Sequence, residues 1–152
     1  MSAVPPWCIY ICAMPEMSLA ADDPPMLVYD GSCGFCSRAV QFILRHEQRH
    51  DLRFVARDSE LGKELRRRFH LEAVESLLWI EGGNAFIESD AVLNAGKYVG
   101  GIWAVLVSLG SLVPSGLRDP IYRFIARNRR RFSSSATTCF VPTAEQRIRF
   151  FV

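Results

Sequence analysis

The chain has 152 residues, 49% of them apolar and 22% charged, with a formal net charge of +2. That is the size and composition of one globular domain with material for a core. It excludes collagen-like, low-complexity and disordered chains, and the small net charge gives no reason to expect nucleic acid.

Residues 1–25 read as a loose tail. Trp7–Met14 is apolar, but no Lys or Arg precedes it as a secretory signal requires, and it is too short to cross a bilayer. Prolines 5, 6, 15, 24 and 25 break this tail, and Met17 or Met26 offers another start. The domain is expected over 26–142, with a helical extension from about residue 97 and a tail over 143–152.

Met26-Leu27-Val28-Tyr29 is a short apolar run before Asp30-Gly31 and predicts a buried strand ending in a turn. A helix follows over about Cys33–His50. Cys36, Ala39, Val40, Ile43 and Leu44 recur at helical spacing, Phe42 widens that stripe, and Ser32 is the natural N-cap. Leu52–Ala56 alternates as a second strand. Ser59 caps a helix over about Glu60–Phe69, whose buried side is Leu61, Leu65 and Phe69 and whose Arg66-Arg67-Arg68 faces solvent.

Ser76–Ile80 predicts a third strand, Gly82-Gly83-Asn84 a hairpin turn, and Ala85–Ile87 a fourth strand antiparallel to the third. Ser89-Asp90 opens a long helical stretch. Between Lys97 and Arg118 no residue is charged, and Gly100, Gly101, Gly110 and Pro114 interrupt the run, so a buried or membrane-touching helix is expected before a spanning one. Asp119-Pro120 reads as a second helix start, with an acidic cap and proline at the first helical position. The residues around Cys139 to Val152 read as a loop and a short amphipathic tail.

From Arg118 onward eight arginines stand against Asp119 and Glu145, about +6 against about −4 for the remainder. Such a block is either a solvated helix face or a contact for anionic lipid or an acidic partner. The order is therefore β-α-β-α-β-β-α with a C-terminal helical extension. A helix between the first two strands implies parallel pairing through a right-handed crossover. This is an α/β, thioredoxin-like order without extra N-terminal elements.

The cysteines stand at 8, 12, 33, 36 and 139, an odd and clustered set that makes a poor disulfide framework. Free or catalytic thiols in a reducing compartment fit better, so a cytoplasmic protein is expected, with membrane association open to it. Cys33 falls at a helix N-terminus, where free amides and the helix dipole favour an anion and raise the thiolate fraction. Cys36 lies one turn on, on the apolar face, shielded yet near enough to attack a mixed disulfide on Cys33. Asp30 either takes a proton from Cys36 or caps the turn. Zinc also uses Cys-x-x-Cys pairs, but it wants four ligands, and neither Cys8 and Cys12 nor the histidines offer a clear second pair. No cofactor is expected.

Val28-Tyr29-Asp30-Gly31-Ser32-Cys33-Gly34-Phe35-Cys36 resembles the signature of the DCC family of predicted thiol-disulfide oxidoreductases, named for Asp-x-x-Cys-x-x-Cys. Glu88-Ser89-Asp90-Ala91-Val92, Arg118-Asp119-Pro120-Ile121-Tyr122, Ile125–Arg129 and Cys139-Phe140-Val141-Pro142 are similar to later segments of that family. The resemblance implies a thioredoxin-like fold and a redox-active Cys33–Cys36 pair. It also marks Asp30, Arg127, Asn128, Arg129 and Cys139 as functional positions. Arginines near Cys33 would stabilise a thiolate, or they form a surface helix. Cys139 is either a buried small hydrophobe or a third redox thiol.

Thioredoxins set a cis-proline before the third strand. Here no proline stands between Pro25 and Pro114, and Ala73-Val74-Glu75-Ser76 takes that place, so the docking edge must be built differently. The expected partners are a disulfide-containing substrate, a redox partner and a peripheral membrane contact. Two alternatives remain at this stage: a membrane-surface or partner-binding module built from Tyr98–Leu117 and the following arginines, and a zinc-binding structural domain.

Overall fold

The computed structural model describes residues 22–132 and 142–151. Its elements are β1 (Met26–Tyr29), α1 (Gly34–His46), β2 (Arg53–Ala56), α2 (Glu60–Arg68), β3 (Leu78–Glu81) and β4 (Asn84–Ile87). There follow α3 (Glu88–Val99), α4 (Gly101–Ser111), α5 (Ser115–Phe132), α6 (Ala144–Arg147) and β5 (Phe150–Phe151). The five strands form one mixed sheet in the order β4-β3-β1-β2-β5. β1 pairs parallel to β2 and antiparallel to β3, and β3 pairs antiparallel to β4. This is the thioredoxin-like β-α-β-α-β-β-α order with further helices at the C-terminal end.

β1 is apolar at every position because both faces of the sheet are covered. Leu27 and Tyr29 point to a core shared with α1 and α3, and Met26 and Val28 to a second core under α2. This is the period-two alternation of a strand applied to two interiors. The hairpin turns through Gly82 (φ 57°) and Gly83 (φ 75°), a left-handed pair that only glycine adopts without cost.

Several boundaries differ from the sequence reading, and those that matter for the architecture are at α1, β5, α5 and α3. α1 stops at His46, because the next residue, Glu47, turns inward with its side chain fully buried. Glu47 accepts two hydrogen bonds from Arg149 (2.6 and 3.2 Å) and faces the Tyr98 hydroxyl at 3.2 Å. That arrangement recruits the end of the chain. Phe150 and Phe151, expected in a loop and tail, form β5 parallel to β2, and Phe150 stacks on Phe54 at 4.8 Å.

The expected helix start at Asp119-Pro120 is also displaced. α5 begins at Ser115, just after Pro114, and carries Pro120 inside it. A proline there removes the bond to the Gly116 carbonyl, but Gly116 is exposed and water can satisfy it. Asp119 does not cap the helix; it accepts a hydrogen bond from the Ser89 hydroxyl. With Arg118–Asp90 (2.9 Å) and Arg123–Glu88 (2.9 Å) it fastens α5 to the start of α3. α3 itself begins at Glu88, one residue before the expected Ser89-Asp90, and Glu88 has φ 53°, in the left-handed region.

The uncharged stretch also divides. Tyr98 and Val99 at the end of α3 are core residues, whereas α4 buries no side chain. No single helix among the described residues is long and apolar enough to cross a membrane.

Candidate active site

Two parallel strands end side by side, and the residues just beyond those ends meet. Tyr29 pairs with Ala56 in register, and the Arg57 amide donates to the Tyr29 carbonyl at 2.8 Å. Asp30 and Arg57 thus face each other at the C-terminal edge of the sheet, where open α/β folds place ligands.

Asp30 organises the turn into α1. Its Oδ1 accepts from the Ser32 amide (3.0 Å) and the Ser32 hydroxyl (2.6 Å), and its carbonyl accepts from the Cys33 amide (3.2 Å). Ser32 is therefore spent on Asp30. The N-cap position falls to Cys33, which makes no side-chain capping bond. That places the Cys33 sulfur at the helix N-terminus. Cys33 is partly exposed and Cys36 is buried, and both are free thiols.

Arg129 reaches into this site from α5. Its guanidinium stands 3.4 Å from Asp30 Oδ2 and 4.0 Å from Cys36 Sγ, while Arg57 lies 3.6 Å from the same Asp30 oxygen. Burial works to raise the pKa of Asp30. The hydrogen bonds from Ser32 and the charges of Arg57 and Arg129 outweigh it, and the carboxyl ends below its ordinary range. For Cys36, burial first, then the charge of Cys33 and the hydrogen bond to it, push the thiol up to about 12, against the pull of Arg129 and a backbone hydrogen bond from Asp30. Cys36 accordingly holds its proton at neutral pH. Burial also raises the pKa values of Tyr29 and Tyr122, and a charge on Cys36 adds to both.

The three residues 127–129 do different things. Arg129 meets the dithiol, Asn128 donates to the Phe124 carbonyl of its own helix (2.8 Å), and Arg127 is exposed on a groove. That groove, about 630 Å³, runs between residues 73–76 and α5 and is lined by Ser76, Ile87, Glu88, Tyr122, Arg127 and Arg129 among others. The segment that takes the place of the thioredoxin proline is thus one wall of it, and it holds no cis peptide bond. Arg66, expected on a solvated face, instead supports this wall by donating to the carbonyls of Leu71, Glu72 and Val74. The Tyr122 hydroxyl accepts from the Leu77 amide at 3.2 Å and closes the groove floor.

Cys139 lies outside the described residues. Among them, no group of three or more His, Cys, Asp and Glu side chains comes together as a metal site would need. Arg57, Arg66 and Tyr122 were not apparent in the sequence. For Arg57 a signal existed: a parallel β-α-β unit brings the residue after its second strand beside the residue after its first.

Residues 27–135 match the family model described as DCC1-like thiol-disulfide oxidoreductase. The chain is 32% identical over 127 residues to the uncharacterized protein YuxK of Bacillus subtilis, covering 82% of this chain and 92% of that one. It is 30% identical over 120 residues to a chloroplastic DCC family protein of Arabidopsis thaliana, covering 78% of this chain and 70% of that one. No solved structure matches it at a significant level.

Proposed function

This chain belongs to the DCC1-like thiol-disulfide oxidoreductase family, and on that premise we propose that it is itself a thiol-disulfide oxidoreductase working through Cys33 and Cys36. In this reading the Cys33 thiolate attacks one sulfur of a protein or small-molecule disulfide. A Cys33–substrate disulfide forms, and the other substrate sulfur leaves as a thiolate. Cys36 then loses its proton and attacks Cys33 Sγ. The intramolecular disulfide forms and the second substrate thiolate is released. The substrate disulfide has gained two electrons and the dithiol has lost them. A partner dithiol returns the pair to its reduced state.

The observation that carries the reading is the placement of Arg129 between Asp30 and the buried Cys36 sulfur. It bears on the order of events. Two of the influences that hold Cys36 protonated come from Cys33, namely its charge and the hydrogen bond to it. Both are lost once Cys33 is consumed in a mixed disulfide. Burial then remains, opposed by Arg129, so Cys36 becomes easier to ionise at the step that needs its thiolate. Asp30, held ionised by its neighbours, keeps Arg129 beside the Cys36 sulfur, the Cys36 proton leaves with the departing substrate thiol, and the groove beside residues 73–76 is the approach for substrate.

The test uses a chromogenic aromatic disulfide and a background in which Cys8, Cys12 and Cys139 are alanine. Cys36→Ser should retain one covalently bound aromatic thiol, the intact pair should release two and retain none, and Cys33→Ser should react slowly. Equal reaction of Cys33→Ser and the intact pair would sink the proposal.

A further inference from the structure

Apolar side chains ordinarily hide, and α4 does not hide its own. A narrow line of α4 rests on α3, where Val107 meets Gly96 and Gly110 approaches Leu93. Trp103 packs edge-on against Phe42 of α1 at 4.9 Å, and on the outward face Ile102, Val105, Leu106 and Leu109 are all at least 50% exposed. Beyond the helix end Leu112 is 79% exposed and Leu117 64%. A helix apolar all round belongs in a core or in lipid, and this contiguous surface is more than scattered leucines.

Geometry narrows the choice. α4 and α5 meet at a bend of 120° across residues 112–114, so the patch is a ridge with Leu112 and Leu117 beside its crest. Eleven residues of α4 make about 16 Å of helix, about half the hydrocarbon thickness of a bilayer. The ridge can enter one leaflet but cannot cross both. Along α5 the stripe of Leu117, Ile121 and Phe124 is continued one heptad later by Arg131, with Arg127 beside it. Both arginines are exposed, and among the described residues neither has a carboxylate partner.

We propose that the α4–α5 ridge seats this protein on an anionic membrane surface, with Leu109, Leu112 and Leu117 in the acyl region and Arg127 and Arg131 at the phosphates. An apolar face with cations at its border is the composition of an interfacial anchor. A second copy carries the same cationic border and a formal net charge of +2, whereas an anionic bilayer complements both. Arg129 lies twelve residues beyond Leu117 on one helix, so the arginine that reaches the dithiol stands about 18 Å along α5 from the inserted end. That is close enough to serve a disulfide at the headgroup level.

Flotation of the full chain with vesicles tests this, using phosphatidylcholine alone and an equal mixture with phosphatidylglycerol. The protein should float with the mixed vesicles and stay behind with the neutral ones. Leu112→Glu/Leu117→Glu should bind at least about tenfold more weakly, and Arg127→Gln/Arg131→Gln about fivefold or more. Both leucines are exposed, so the first variant should keep the wild-type circular dichroism and the same reaction with a soluble disulfide. Failure of the wild type to float with either vesicle overturns the proposal, as does unimpaired flotation of the leucine variant. A lipid-free dimer that the leucine variant dissociates would overturn it too, by assigning the ridge to a second copy.

Discussion

Arg129→Met removes the cation placed against Cys36 while keeping an unbranched apolar stem in its place. At 4.0 Å and an effective dielectric of about 20, a guanidinium and a thiolate attract by about 4 kcal/mol. Asp30 sits 3.4 Å from the other side of that guanidinium and cancels much of its field, and the Arg129 side chain is 17% exposed. About 1–2 kcal/mol remains, close to one pKa unit and a tenfold change in thiolate. The assay is stopped-flow release of a chromogenic thiol. The first equivalent reports attack by Cys33 and the second reports resolution by Cys36. In the variant the second phase should slow about tenfold and its pH profile should move up by about one unit, with the first phase changed less than about threefold. An unchanged second phase, or two phases slowed in equal proportion, would refute the argument that Arg129 acts on Cys36.

Three further predictions concern the scaffold. Arg149→Met leaves the buried Glu47 carboxylate without its paired cation and should cost about 3 kcal/mol in urea denaturation, with thiol chemistry largely preserved. Gly62→Ala would drive a Cβ into the Ala56 carbonyl and to 2.8 Å from that of Arg57. The loss should be about 1–3 kcal/mol by the same measurement, accompanied by a weaker Arg57–Asp30 contact seen as a higher Asp30 pKa by NMR. Because the folded carboxyl of Asp30 titrates below its ordinary value, its ionised contacts stabilise the fold above about pH 4, and this is lost as pH falls through the lower folded value. The stability gap between wild type and Asp30→Asn should therefore narrow as the pH is lowered below about 4.

Local pattern was enough for the first half of the fold. β1 is apolar at every position, α1 carries a helical stripe, Ser59 caps α2 by accepting from the Gly62 amide, and Gly82-Gly83 makes its hairpin. Sequence spacing also brought Cys33 and Cys36 to a helix start. The rest depends on contacts between residues far apart in the chain. Phe150-Phe151 is too short to show a strand period; it becomes β5 where Arg149 reaches the buried Glu47 and Phe150 stacks on Phe54. Asp119-Pro120 has the form of a helix cap, yet Ser89 claims the carboxylate and the helix begins earlier. Among Arg127, Asn128 and Arg129, nothing local says which one faces the cysteines; the packing of α5 against α1 decides it. Arg66 looked solvated because the carbonyls it serves are irregular backbone, which leaves no periodic trace.

The separation between Arg129 and the thiols sets an order in time. Strand β1, α1 and β2, which carry the two cysteines, lie within residues 26–56 and are made first. Their arginine arrives ninety-nine residues after Asp30, and the Glu47–Arg149 clasp closes over one hundred and two. A nascent or half-assembled copy therefore carries both sulfurs without the cation beside Cys36. Docking of the second half of the chain is the step that brings Arg129 to the two sulfurs and Arg149 to Glu47.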